Sequence, residues 1–130
     1  MKKVLLAAVA LLACLSLSAR GFRLNISKDI PEQAVQVLQE RFGQMLEAAG
    51  HSLSESGAPL EVTAEVTDRM ATPGSLSQVA LTITLKAQCG AAEETFTLKG
   101  VGSDEKDAWI RAVKQLLPRS QTAQHFTDQL

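Results

Sequence analysis

Residues 79–116 read VALTITLKAQCGAAEETFTLKGVGSDEKDAWIRAVKQL, and within them the spacing of apolar residues changes once. Val79, Leu81, Ile83 and Leu85 alternate with Ala80, Thr82, Thr84 and Lys86; Phe96 and Leu98 alternate with Thr95, Thr97 and Lys99. Alternation sends neighbouring side chains to opposite faces of a strand, so each run makes a strand with one apolar face. Cys89-Gly90 supplies the turn between them, and so short a connection implies an antiparallel hairpin. Beyond Gly102 the apolar residues Ala108, Trp109, Ala112, Val113 and Leu116 recur at helical spacing and make a single stripe. Ser103 or Asp104 can cap this helix, Asp104 and Glu105 lie near its positive end, and Pro118 stops it.

Upstream, Leu60, Val62, Ala64 and Val66 alternate with Glu61, Thr63, Glu65 and Thr67 as a further strand, separated from the next by the turn Thr72-Pro73-Gly74. A polar loop, His51 to Pro59, precedes it. Before that loop, Val35, Leu38, Phe42, Met45, Leu46 and Ala49 form a helical stripe, with Pro31 in the first turn and Asp29 and Glu32 at capping-box spacing. Gly50 is placed to end the helix in a left-handed turn. Phe22, Leu24 and Ile26 predict a short first strand, and downstream Ser120 can cap a last helix carrying Ala123, Phe126 and Leu130. The order β-α-β-β-β-α-α predicts an α+β two-layer sandwich: a four-stranded, mostly antiparallel sheet with its helices packed on one face. The other face, rich in Thr, Glu and Lys, reads as solvated surface.

The first eighteen residues have a different character. Lys2 and Lys3 precede an apolar run from Val4 to Leu15, and Ser16 and Ser18 follow as small residues, the pattern of an export signal. The run is shorter than the roughly 18–20 apolar residues that a membrane-spanning helix needs, so no transmembrane span is expected. Leu11-Leu12-Ala13-Cys14 also resembles a lipobox, which leaves two outcomes: cleavage after Ser18 or Ala19, or acylation at Cys14 as an outer-membrane lipoprotein. The domain expected over residues 19–130 carries 11 basic and 14 acidic residues once Lys2 and Lys3 are gone, a net charge of −3. That balance argues against a nucleic-acid partner. Cys89 is then the sole cysteine, so the fold is not held by an internal disulfide.

Several of these features occur together elsewhere. Asp29-Ile30-Pro31 opens the first helix, and Lys99-Gly100-Val101-Gly102 precedes the acidic helix start. Ala108-Trp109-Ile110 and Ala112 lie on that helix, and Pro118-Arg119-Ser120 precedes the last one. In these motifs the chain resembles, over about residues 22–130, a group of uncharacterised exported envelope proteins of Gram-negative bacteria. The layout is similar to the small α+β modules of the curli-secretion lipoprotein and of lipoprotein activators of penicillin-binding proteins. That resemblance implies an envelope scaffold or adaptor that contacts another envelope protein. It brings no catalytic residue and no cofactor.

Candidate chemistry is sparse. Gly100-Val101-Gly102 before a helix suggests a phosphate loop, but the third glycine of the dinucleotide fingerprint and the Lys-Ser/Thr of a P-loop are missing, and Asp104, Glu105 and Asp107 repel an anion. His51 and His125 have no metal-ligand spacing. Cys89 lies beside Glu93 and Glu94, the wrong surroundings for a reactive thiolate. Ser75 and Ser77 have no neighbouring base, Glu61 and Glu65 share a strand face with threonines, and Trp109 belongs to an apolar stripe. No catalytic, cofactor or metal site is expected. The reading that follows is a non-enzymatic protein-interaction domain, exported to the periplasm or beyond; the alternative is a small periplasmic ligand-binding or hydrolytic domain.

Overall fold

The computed structural model describes residues 21–72 and 78–130. The expected leader, Cys14, and the Pro73-Gly74 turn with Ser75 and Ser77 lie outside these residues. Along the chain come β1 (Gly21–Ile26), α1 (Glu32–Ala48), β2 (Ser52–Leu53), β3 (Ala58–Thr72), β4 (Gln78–Cys89), β5 (Ala92–Gly102), α2 (Glu105–Val113) and α3 (Gln121–Asp128). The fold is α+β, as the spacing predicts.

The sheet differs from the expectation of four mostly antiparallel strands. It has five strands in the order β2-β1-β3-β4-β5 and is mixed and curled. β3, β4 and β5 form the expected antiparallel meander, but β1 runs parallel to both β2 and β3. The physical reason is the crossover. A helix of 17 residues carries the chain from the end of β1 back to its beginning, so the following strand must run the same way. Within the segment expected as loop, Ser52 and Leu53 pair with Gly21 and Phe22, and the carbonyl of Phe22 accepts a hydrogen bond from the amide of Ser54.

Helix α1 ends as Gly50 predicts. Gly50 has φ +83°, its amide bonds the carbonyl of Glu47, and the amide of His51 bonds that of Leu46 at 2.8 Å. This is a Schellman motif, and it satisfies carbonyls that would otherwise lack partners. The helix start is a correction. Pro31 lies just outside the helix with ψ 141°, no side chain caps it, and the expected Asp29–Glu32 capping box does not form. The turn closes instead through Ser27, whose carbonyl accepts from the amide of Ile30 and whose hydroxyl accepts from that of Asp29. For α2 the cap is Asp104, accepting from the amide of Asp107 at 2.7 Å, and for α3 it is Ser120, accepting from Ala123. Gly90, at φ +59°, opens the two-residue β4–β5 turn, where a left-handed first residue matches the strand twist.

The buried strand residues meet the helices on one side. Leu60, Val62, Leu81, Ile83, Leu85, Phe96 and Leu98 are buried against Leu38, Phe42, Met45, Leu46, Ala108, Trp109, Ala112, Val113, Ala123 and Phe126. Each fully buried Leu or Phe contributes about 1.5–3 kcal/mol. Ala34 joins the α1 stripe, whereas Ala49, expected on it, is exposed. Leu24 and Ile26 of β1 are only half-buried. Phe42 and Phe96 meet edge to face at 6.3 Å, joining α1 to β5. A bulge between Val66 and Asp68 shifts the β3–β4 register by one residue, and the Thr67 hydroxyl donates to the carbonyl of Thr82 there.

Candidate interaction surface

The surface of interest begins at β5, which ends the sheet order and therefore has one side without a neighbouring strand. The β4–β5 register runs without interruption from Cys89↔Ala92 to Val79↔Gly102. Main-chain groups in a strand alternate in direction, so those of Glu93, Thr95, Thr97, Lys99 and Val101 point away from β4. Two of these are engaged within the chain. The side-chain amide of Gln129 accepts from the amide of Glu93 at 3.3 Å and donates to its carbonyl at 3.4 Å, as a neighbouring strand would. The carboxylate of Glu94 accepts from the amide of Thr95 at 3.1 Å.

Helix α2 and the turn to α3 rise alongside this edge. α2 approaches β5 closely because Gly100 and Gly102 lie beneath it. A Cβ at Gly102 would stand 2.5 Å from the amide nitrogen of Ala108, and one at Gly100 would overlap the Ala108 carbonyl and the Ala112 amide. The glycines therefore serve helix-on-strand contact. The nearby amides are already occupied: that of Ser103 donates to the carboxylate of Asp107, and that of Asp107 to the carboxylate of Asp104. The amide of Ser103 and the Arg111 guanidinium hold Asp107 below the usual carboxylate range.

Between β5 and the end of α2 runs a cleft of about 390 Å³, lined by Thr95, Phe96, Thr97, Leu98, Gln115, Leu116, Leu117, Ser120 and Thr122. A second cleft, about 700 Å³, lies on the other side of the same turn between Leu117–Ser120 and Gln44, Glu47 and Ala48 of α1. Leu117 borders both and is 60% exposed, while Leu116 beside it is buried. At the lower end of β5, Glu94 meets the Nδ1 of His125 on α3, an exposed histidine. That hydrogen bond, with the one from Thr95, holds Glu94 below its ordinary value.

The structure does not bring the weak candidate residues together. His51 is buried, with its ring edge-on to Phe22 at 5.3 Å, where β2 begins. Cys89 is half-buried at the end of β4, and β1 and β3 lie between β2 and β4 in the sheet. Among the described residues there is no group of three or more His, Cys, Asp or Glu side chains placed to share a metal ion. None of the described helices is long and apolar enough to cross a membrane. Trp109 is 7% exposed, in the core as its stripe predicts. Sequence reasoning missed Gln129 and Leu117. A leucine beside Leu116 reads as an extension of the stripe, and an amide near the C-terminus carries no pattern until β5 is seen to pass beside it.

No protein-family model matches the chain, and no curated protein matches it. Among solved structures it is similar to a minor lipoprotein from Acinetobacter baumannii at 19% identity and a TM-score of 0.49, covering 85% of this chain and 91% of that one. It is also similar to a hypothetical protein from Chlamydia trachomatis at 9% identity and a TM-score of 0.35, covering 85% and 92%. Neither similarity carries a site or a role over to this chain.

Proposed function

We propose that this protein is exported to the bacterial envelope and works there by holding another protein, without catalysing a reaction. The observation that carries the reading is Leu117, an exposed leucine on a short turn with a cleft on either side. Leu116 anchors the turn in the core, and Pro118 limits its backbone freedom. An apolar side chain presented on a fixed turn beside clefts is the kind of feature on which a few residues concentrate binding energy. The export half of the reading rests on Lys2, Lys3 and the apolar run that follows. The alternative of a small ligand-binding or hydrolytic domain calls for a pocket reaching His51 or Cys89, and the clefts flanking Leu117 are lined by other residues.

The test is chemical cross-linking in intact cells of the native host, comparing the natural chain with Leu117→Asp. Leu117 is exposed, so the change should alter stability by no more than about 0.5 kcal/mol. The expected result is a discrete cross-linked species in the envelope fraction that the variant loses while keeping its melting temperature. Recovery of the natural chain alone overturns the binding role. Mass spectrometry of the N-terminal peptide of the chain purified from the native host reads the start directly: Ala19 or Arg20 supports cleavage, an acylated Cys14 supports the lipoprotein form, and an intact Met1 overturns export.

A further inference from the structure

We infer that the open stretch of β5 from Thr97 to Val101 takes an extended segment of the partner as a sixth strand, a proposal that rests on the binding role above. Among the described residues, the outward amides and carbonyls of Thr97, Lys99 and Val101 have no hydrogen-bond partner. Donors and acceptors repeating at every second residue match another extended backbone and little else, which is the chemistry of strand addition. The Gln129 amide closes the ladder at Glu93, so the available length is bounded on one side.

The pattern of the incoming strand follows from the two faces it must meet. On the helix side, its alternate residues enter the cleft against Leu98, Leu116 and Leu117 and should be apolar. On the outer side, the residue opposite Lys99 completes a row that begins Asp68, Thr82, Lys99. Lys99 has no ion pair among the described residues. By contrast, the nearby acids Glu93, Glu94 and Asp107 are matched to Lys86, His125 and Arg111. Lys99 is the outermost charge of that row, with Asp68 two strands further in, so the partner residue opposite Lys99 is acidic.

A second copy of this chain cannot set an acid opposite Lys99 through the open stretch alone. An antiparallel pairing of two open stretches about a two-fold axis centred on Lys99 sets Lys99 directly against Lys99, and like charges directly opposite are destabilising. A register that sets Lys99 against Glu93 uses main-chain groups that Gln129 already holds. The edge is therefore biased towards a different, acidic strand.

The experiment uses the isotopically labelled chain purified after export and a synthetic acetylated hexapeptide, Thr-Val-Glu-Val-Thr-Val, with a lysine-for-glutamate control. The expected result is slowed amide exchange at Thr97, Lys99 and Val101, and tighter binding of the acidic peptide. Thr97→Pro removes an amide that β4 does not use, so the sheet should stand while peptide affinity falls about tenfold. Lys99→Glu should shift the preference towards the lysine peptide by about fivefold, and it carries the test if the proline variant does not fold. No binding, binding unaffected by both variants, or protection of these amides through self-association overturns the proposal. In the cross-linking experiment, capture that survives Thr97→Pro but not Leu117→Asp sinks strand addition alone; capture of nothing by the natural chain sinks the binding role beneath it.

Discussion

Gly100 shows how a single missing side chain sets the distance between layers. With alanine there, the new methyl would meet backbone atoms of Ala108 and Ala112, which cannot swing aside as a flexible side chain could. Helix α2 would have to lift from β5, so Gly100→Ala should lower stability by about 3 kcal/mol in chemical denaturation; a change near zero would show the contact to be looser than the geometry states. The Glu94–His125 pair is a second residue-scale case. The folded pKa of Glu94 lies below its unfolded value, chiefly through the bond to His125. The pair therefore stabilises the fold above the ordinary carboxylate range, and that contribution is lost as pH falls through the lowered value. His125→Ala should raise the titration midpoint of the Glu94 carboxyl towards its ordinary value, followed by carbon NMR, while the amide of Thr95 still holds it somewhat down. The His51 position past a helix end was readable from sequence, but its burial against Phe22 was not, because β2 is too short to announce itself.

Among the elements, those with local signals were the readable ones. Gly50, Asp104 and Ser120 each mark a helix boundary through a hydrogen bond made within a few residues, and each does so in the structure. β1 was found by its alternation, yet its direction against β3 depends on how the chain returns after α1, and no short pattern records that. The capping box at Asp29 fails for a similar reason: Ser27 closes the turn first, and Pro31 cannot enter the helix in the conformation it holds. The edge of β5 carries its own prediction. The amide of Glu93 should exchange with solvent more slowly than those of Thr97, Lys99 and Val101. Gln129→Ala should remove that difference, measured residue by residue, with little effect on the melting temperature because the bonds are near the surface. Equal rates in the natural chain would contradict the strand-like role of Gln129.

At the scale of the whole molecule, one apolar interior joins every helix to the sheet, and its membership was largely legible from two spacings. Phe42 spans from α1 to Phe96 on β5, so Phe42→Ala should cost about 3–5 kcal/mol and broaden signals on both elements; a loss confined to α1 would mean that the two sides are less coupled than their packing implies. The candidate surface was much less legible, since it is assembled from an edge, a turn and Gln129, none of which has a signature alone. The bulge at Thr67 bears on the same large-scale order. Before it, even-numbered residues of β3 face the helices; after it, odd-numbered ones do, which places Arg69 within 3.6 Å of Glu105 and leaves Met70 67% exposed in a row with Ala80 and Val101. Excising Thr67 would mend the ladder without turning the far arm over, because Asp68 would follow Val66 directly and still lie opposite Thr82. Met70 should then remain as open to oxidation by peroxide as in the natural chain, and Arg69 should keep its reach to Glu105. A Thr67 drawn into the ladder as an ordinary member would instead turn Met70 inward and part Arg69 from Glu105.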